Sequence, residues 1–215
     1  MIDRVFVDVD VQHDFCEPSG ALFVKGSPND RFVALARYAV HHKIPILGSV
    51  DSHASHAWEF ATNDNRGPNG EKPNFPDHCV KGTPGWLKVH GTLPARFRFI
   101  ANVPDAPIDS IVAEVISGAT QGVYFEKEVY SLFANPVAES FLQKLVGAAK
   151  PELVVYGVAT DYCVKAAALG LAQRGYRTTV LTDAIAGITP EGTKAALDEM
   201  VAAGVKLTTS ESVMR

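Results

Sequence analysis

The chain has 215 residues, of which 47% are hydrophobic and 20% charged, a balance typical of a globular protein with one sizeable core. The formal net charge is −4 without any block of like charges, so we expect neither nucleic acid nor a membrane surface as a partner. The sequence shows no signal peptide and no membrane span, which favours a cytoplasmic location. Three widely spaced cysteines do not form a disulfide framework. A cysteine with a functional role is therefore expected to be a reactive thiol and not a structural one.

Short β-branched runs alternate with helical patterns, which predicts βαβ units around a parallel sheet buried on both faces. We expect a three-layer α/β/α fold in a single domain over residues 1–215. The six predicted strands are Val5–Val9, Ile44–Val50, Gly122–Phe125, Leu153–Val158, Thr178–Leu181 and Val205–Thr208. The predicted helices are Asp30–His42, Ile108–Ser117, Pro136–Ala149, Asp161–Arg174 and Pro190–Ala203.

Residues 51–93 interrupt this alternation, because they are dense in Gly, Pro, Asn, His and Asp and show no sustained period. A segment this long without regular structure inside a compact domain is usually functional. We therefore predict a loop insertion that covers the sheet.

Polar residues follow several predicted strands, at the sheet edge where open α/β folds bind their ligands. Asp10 follows the first strand, Asp51 and His53 the second, Lys127 the third and Cys163 the fourth. Each residue alone has an ordinary explanation as a turn residue, a solvated charge or a small apolar side chain. Their common position at one edge predicts a catalytic site.

Cys163 is the candidate nucleophile, because the start of a helix offers unpaired N–H groups and a positive dipole end that favour thiolate over thiol. The N–H groups of the same turn can also stabilise an oxyanion. Asp10 is the candidate proton acceptor for the thiol and proton donor for a leaving amine. We expect Lys127 to place a positive charge nearby and to lower the pKa of the thiol.

Asp51, His53 and His78 offer one carboxylate and two imidazoles, a ligand set suited to Zn²⁺, Fe²⁺ or Mn²⁺. Three protein ligands leave coordination positions open for water or substrate. The spacing alone is a weak signal, since the chain contains 7 histidines. These three residues are therefore a candidate site for a divalent metal, with zinc, iron and manganese all open at this point.

Five motifs contain these residues: DVQHDF at 10–15, DSH at 51–53, PDHCV at 76–80, KEVYSLF at 127–133 and GVATDYCV at 157–164. Their content and order along the chain resemble the isochorismatase-like cysteine hydrolases, and within that group the nicotinamidases. The resemblance implies a Rossmann-like fold with a six-stranded parallel sheet. It also implies a catalytic triad of Asp10, Lys127 and Cys163.

Further properties follow from the resemblance alone. It implies a cis peptide bond between Val158 and Ala159, with the backbone N–H groups of Ala159 and Cys163 as the oxyanion hole. It implies that Asp51, His53 and His78 bind a divalent metal, with zinc as the first choice and iron or manganese as alternatives. This metal site is a feature of nicotinamidases that isochorismatases do not share. This chain departs from the nicotinamidase pattern near that site: Ser52 and Phe75 stand where tryptophan is common, and Glu59 replaces a serine.

The activity implied is the hydrolysis of a small amide, with nicotinamide as the expected substrate and a thioester as the intermediate. The expected apolar walls for a flat ring are Phe15, Phe75, Tyr130 and Tyr162. A first alternative is a hydrolase of the same superfamily that acts on an acyclic amide, a carbamoyl compound or a vinyl ether. A second is a catalytically idle member that binds a ligand. We also expect the chain to form a homo-oligomer.

Overall fold

The computed structural model describes residues 2–63, 66–67 and 69–215, which form a parallel sheet with an apolar core on each face. The strands are β1 Arg4–Val9, β2 Ile46–Asp51, β3 Phe97–Ile100, β4 Gly122–Lys127, β5 Glu152–Val158, β6 Arg177–Ala186 and β7 Lys206–Thr208. Their order across the sheet is β3-β4-β2-β1-β5-β6-β7, and all neighbouring pairs are parallel. The predicted three-layer α/β architecture is confirmed.

The sheet has 7 strands, so the predicted number of six is wrong by one. The missed strand is β3, with the sequence FRFI, at one edge of the sheet. Arg98 is exposed, and its neighbours Phe97 and Phe99 are half-buried. An edge strand has one flank in solvent, so it lacks the continuous apolar run that identified the central strands.

The helices are α1 His13–Cys16, α2 Asn29–His41, α3 Ile108–Ser117, α4 Ala138–Val146, α5 Lys165–Gln173, α6 Pro190–Ala202 and α7 Ser210–Val213. The five longer helices overlap the predicted ones. Helices α1 and α7 have 4 residues each, which is too short for a hydrophobic period to show. Among the described residues, no helix combines the length and apolar character that crossing a membrane requires.

Between β2 and β3, the described part of the chain contains a short 3₁₀ turn, Pro84–Trp86, and isolated bridges. The bridges join His53 to Val80 and Phe60 to Phe75, so the segment folds back on itself beside the end of β2. A further bridge between Gln12 and Lys88 ties its distal part to the residues that follow β1.

The four neighbouring strands β4, β2, β1 and β5 end at one edge of the sheet and carry the polar residues of interest. Lys127 is the last residue of β4, Asp51 is the last of β2, Asp10 follows β1, and Cys163 lies in the turn after β5. Since parallel strands present their carboxyl ends at the same edge, residues that are far apart in the chain meet here.

Candidate active site

Asp10, Lys127 and Cys163 contact one another below the protein surface. Nζ of Lys127 lies 2.8 Å from Oδ2 of Asp10 and 3.6 Å from Sγ of Cys163. All three residues are buried, and Asp10 and Lys127 are fully excluded from solvent. Ser49 donates a hydrogen bond of 2.7 Å to Oδ1 of Asp10, so both oxygens of this carboxylate have a partner. The arrangement holds an acid, a cation and a thiol in one fixed geometry.

Burial raises the pKa of the Cys163 thiol well above its ordinary value, and the charge of Lys127 opposes this effect only in part. Asp10 raises the pKa further, through its charge and by accepting a hydrogen bond from the thiol. Lys127 therefore acts in the predicted direction, but desolvation outweighs its effect on the pKa of the thiol. At neutral pH the cysteine is a thiol that needs a base, and Asp10 is in contact with it.

Lys127 keeps its charge in this buried position. Burial lowers the pKa of the ammonium group, but the carboxylates of Asp10 and Asp51 raise it well above its ordinary value. A buried cation paired with two anions stabilises negative charge that develops nearby.

Cys163 lies in a π-helical turn, Thr160–Val164, that connects β5 to α5. The predicted helix over 161–174 therefore starts later than expected, at Lys165. The peptide bond between Val158 and Ala159 is cis, as the family resemblance implied. Ala159 and Cys163 line the same pocket.

The structure brings Asp51, His53 and His78 together with a fourth residue, Glu59. One ligand atom from each lies within 4.8 Å of the others, and all four residues are buried. Nε2 of His53 is 3.1 Å from Oδ2 of Asp51 and 2.9 Å from Oε1 of Glu59. Nε2 of His78 is 3.5 Å from each of the same two oxygens.

The orientation of the two imidazoles fits a divalent cation. Nδ1 of His78 lies 2.8 Å from the carbonyl oxygen of Pro76, and since a carbonyl only accepts, Nδ1 is the donor and Nε2 is the nitrogen that faces the cluster. Nε2 of His53 also faces the cluster, where its neighbours are the carboxylate oxygens of Asp51 and Glu59. Burial lowers the pKa of His53, but Asp51 and Glu59 raise it to about 9. This negative field attracts a cation, and two imidazoles with two carboxylates suit a divalent metal.

Glu59 was not assigned to the metal site from the sequence. It is one of 24 acidic residues, and no regular spacing relates it to His53 or His78. The fold places it there because the chain reverses around it: the backbone N–H groups of Asn74 and Phe75 both donate to the carbonyl oxygen of Glu59. Such a reversal in a loop carries no local sequence signal.

Gln12 holds the backbone of Asp51 in place. Its Oε1 accepts a hydrogen bond of 2.7 Å from the N–H of Asp51, and its Nε2 donates to the carbonyl oxygens of Asp51 and Trp86 at 2.8 and 2.9 Å. Gln12 is fully buried, and all its polar atoms are used. The side chain therefore connects the end of β2 to the segment between β2 and β3.

A pocket with an empty volume of about 480 Å³, including its opening to solvent, lies over Cys163. The predicted wall residues that line it are Phe15, Phe75, Tyr130 and Tyr162. Asp51, Glu59, His78, Ala159 and Cys163 also line it. Sequence reasoning missed Leu22, Val24, Glu128, Val129 and Ile188, because single residues in loops show no pattern. The thiol and the metal ligand group thus open into one pocket.

Comparison with known proteins agrees with this geometry. Residues 4–212 match the isochorismatase domain family. The chain is 32% identical to the nicotinamidase/pyrazinamidase of Mycobacterium tuberculosis, over 96% of this chain and 99% of that protein. It is 30% identical to the nicotinamidase of Escherichia coli, over 97% of this chain and 96% of that protein.

A solved structure gives the same result for the fold. The crystal structure of the pyrazinamidase of Pyrococcus horikoshii in complex with zinc superposes with a TM-score of 0.71 and 26% sequence identity, over 96% of this chain and 99% of that one. The resemblance found in the sequence motifs is therefore confirmed. The chain belongs to the isochorismatase domain family.

Proposed function

We propose that this protein is a nicotinamidase, which hydrolyses nicotinamide to nicotinate and ammonia. The observation that carries the proposal is that a buried thiol and a divalent-metal ligand group open into the same apolar-walled pocket. Nicotinamide presents two groups that match them, a carboxamide for the thiol and a ring nitrogen for the metal. The two relatives that bear the name nicotinamidase, each matched over nearly their whole length, support the assignment.

The reaction starts with the transfer of the Cys163 proton to Asp10, as the sulfur attacks the carboxamide carbon. The ammonium of Lys127, 3.6 Å from Sγ, stabilises the charge on sulfur and holds the Asp10 carboxylate in position. Because the resting thiol is protonated, its conversion to thiolate is coupled to substrate attack. This agrees with the burial of the nucleophile.

The carbonyl oxygen becomes an oxyanion in the tetrahedral intermediate. The backbone N–H groups of Ala159 and Cys163 are proposed as its hydrogen-bond donors. Asp10 then returns its proton to the nitrogen. The C–N bond breaks, so that ammonia leaves and the thioester forms. Water attacks the thioester with Asp10 as the base, which releases nicotinate and restores the thiol.

Asp51, His53, Glu59 and His78 would hold the metal, for which we propose zinc. Zinc accepts nitrogen and oxygen ligands in this combination, and the similar Pyrococcus horikoshii structure contains it. A bound cation would supply a Lewis acid that receives the ring nitrogen of the substrate. Phe15, Phe75, Tyr130 and Tyr162 would enclose the ring.

Incubation of the purified protein with nicotinamide tests the proposal, with nicotinate and ammonia measured separately. We expect the two products in equal amounts, and none from the Cys163→Ala variant. Turnover of an acyclic amide or a carbamoyl compound without turnover of nicotinamide would place the protein with other hydrolases of the family. A single hydrolase domain, a cytoplasmic location and a homo-oligomeric assembly stay predictions of the sequence.

A further inference from the structure

Ile188 lies at the mouth of the pocket, in the loop between β6 and α6. It is 46% exposed, whereas Cys163 in the same pocket is 7% exposed. Val129 and Tyr130, also at the mouth, have the same exposure as Ile188. The pocket therefore has a buried floor that carries the reactive groups and an apolar rim that faces solvent.

The carboxylate of Asp161 holds the loop that carries Ile188. Its Oδ1 accepts a hydrogen bond of 3.0 Å from the N–H of Ile188, and its Oδ2 accepts one of 3.2 Å from the N–H of Thr189. Asp161 belongs to the turn Thr160–Val164, which also contains the nucleophile. One side chain thus connects the rim of the pocket to the turn that carries Cys163.

Two glycines make room for this contact. A Cβ atom at Gly187 would lie 1.9 Å from Oγ1 of Thr193 and 3.2 Å from Oδ1 of Asp161. A Cβ atom at Gly192 would lie 2.7 Å from Oγ1 of Thr189 and 2.8 Å from Oδ2 of Asp161. The close packing defines the position of the loop, and with it the position of Ile188.

The orientation of the substrate decides which of its atoms Ile188 meets, and here the inference rests on the proposed function. Positions 1, 3 and 5 alternate around a pyridine ring. With the nitrogen at position 1 directed to the metal ligand group and the carboxamide at position 3 directed to Cys163, position 5 points away from both. Since both groups lie on the buried floor, position 5 faces the exposed rim.

We propose that Ile188 is a specificity-determining residue that limits the size of a substituent at position 5 of the substrate ring. Asp161 is a positioning residue that acts through Ile188, because its two hydrogen bonds hold the loop against the pocket. The size of the substituent at position 5 then determines at the rim which amides the enzyme accepts. The reacting groups on the floor do not discriminate between them.

The test measures kcat/KM for nicotinamide and for its 5-methyl, 5-ethyl and 5-propyl derivatives. Ile188→Ala is expected to raise the ratio of propyl to unsubstituted substrate by about tenfold, in the range that one or two methylene groups contribute in an apolar pocket. Ile116→Ala is the matched control, since Ile116 is 63% exposed on α3 and does not line the pocket. The ratio should not change in that control.

Asp161→Ala is expected to shift the same ratio in the same direction, and to add nothing in the Ile188→Ala background. Asp183→Ala is its matched control, because Asp183 likewise accepts two hydrogen bonds, from the N–H and Oγ of Ser210, away from the pocket. An Asp161→Ala variant with altered kcat but an unchanged ratio would overturn the positioning role. If it fails to fold, Asp161→Asn, which keeps one acceptor, replaces it.

The outcomes separate this inference from the proposed function. Absence of nicotinamide hydrolysis in the wild type would overturn the proposed function itself. Hydrolysis of nicotinamide with a size preference that Ile188→Ala leaves unchanged would overturn only the role of Ile188. A size preference that relaxes in Ile188→Ala but not in Ile116→Ala supports it.

Discussion

Oδ1 of Asp51 lies 3.0 Å from Nζ of Lys127, so the last residues of β2 and β4 form a buried ion pair. The second oxygen of the same carboxylate faces the imidazoles of His53 and His78. Burial raises the pKa of Asp51, but Lys127 and the two histidines hold it well below its ordinary value. One ionised carboxylate therefore belongs both to the surroundings of the nucleophile and to the metal ligand group.

Substitution of the nucleophile tests the assignment of Cys163. Cys163→Ala should abolish nicotinamide hydrolysis and leave the circular dichroism spectrum unchanged, because the loss of one small buried side chain is tolerated by the core. Iodoacetamide should label Cys163 in step with inactivation of the wild type. Cys16 and Cys79 are buried and do not line the pocket, whereas Cys163 opens into it, so neither of the two should react first. Inactivation that tracks labelling of Cys79 would show the assignment to be wrong.

The protonation state of the thiol predicts a pH dependence for alkylation. In Lys127→Met the cation that opposes the rise of the thiol pKa is lost, so alkylation of Cys163 at pH 7 should fall by about tenfold or more. Its rate should then keep rising with pH well above neutrality, because burial raises the pKa of the thiol well above its ordinary value. Mass spectrometry of timed samples measures the rate. Equal, pH-independent rates in wild type and variant would indicate a resting thiolate instead.

Metal content distinguishes the two acidic ligands. Elemental analysis of the purified wild type should find about one divalent metal per chain. Glu59→Gln should weaken metal binding by about 10- to 100-fold, with activity restored by added metal. Asp51→Asn should lose metal and stay inactive at saturating metal, because it also removes a partner of Lys127. A fully active preparation without metal would contradict the proposed role of the cluster.

Benzamide isolates the contribution of the ring nitrogen, since it matches nicotinamide in shape and in amide chemistry. We expect kcat/KM for nicotinamide to exceed that for benzamide by about a thousandfold, because a polar site without its partner is costly. In His53→Ala the ratio of kcat/KM for nicotinamide to that for benzamide should fall towards the value expected from apolar packing alone. Similar rates for both amides in the wild type would refute the docking of the ring nitrogen at the metal ligand group.

A second buried ion pair predicts a large effect on stability. Nζ of Lys88 lies 2.5 Å from Oδ1 of Asp8, and both side chains are fully buried. Lys88→Met should lower the free energy of unfolding by about 3 kcal/mol, because it leaves Asp8 without its cation. Lys194→Met removes a mostly exposed ion pair with Asp198, and should lower the free energy of unfolding by less than about 0.5 kcal/mol. Urea denaturation at equal metal content measures both, and equal losses would contradict the prediction.

The central sheet and three of the four metal ligand positions could be predicted from the sequence. Strands β1, β2, β4 and β5 are continuous apolar runs, and the carboxyl ends of such strands meet at one edge whatever the details of packing. Asp10, Asp51, Lys127 and Cys163 therefore converge through topology alone. Strand β3 was missed because half of its surface faces solvent and its residues alternate.

Only the tertiary structure determines that Glu59 joins the metal ligand group and that Ile188 lies at the rim of the pocket. It also determines the protonation state of Cys163. Glu59 and Ile188 lie in loops, where their positions depend on chain reversals and on hydrogen bonds to residues distant in sequence, such as Asp161. The pKa of Cys163 depends on how completely the surrounding side chains exclude water, and desolvation is a property of the packed volume and not of neighbours along the chain. Periodicity and motif spacing determine which residues meet, whereas the depth at which they meet decides their charge.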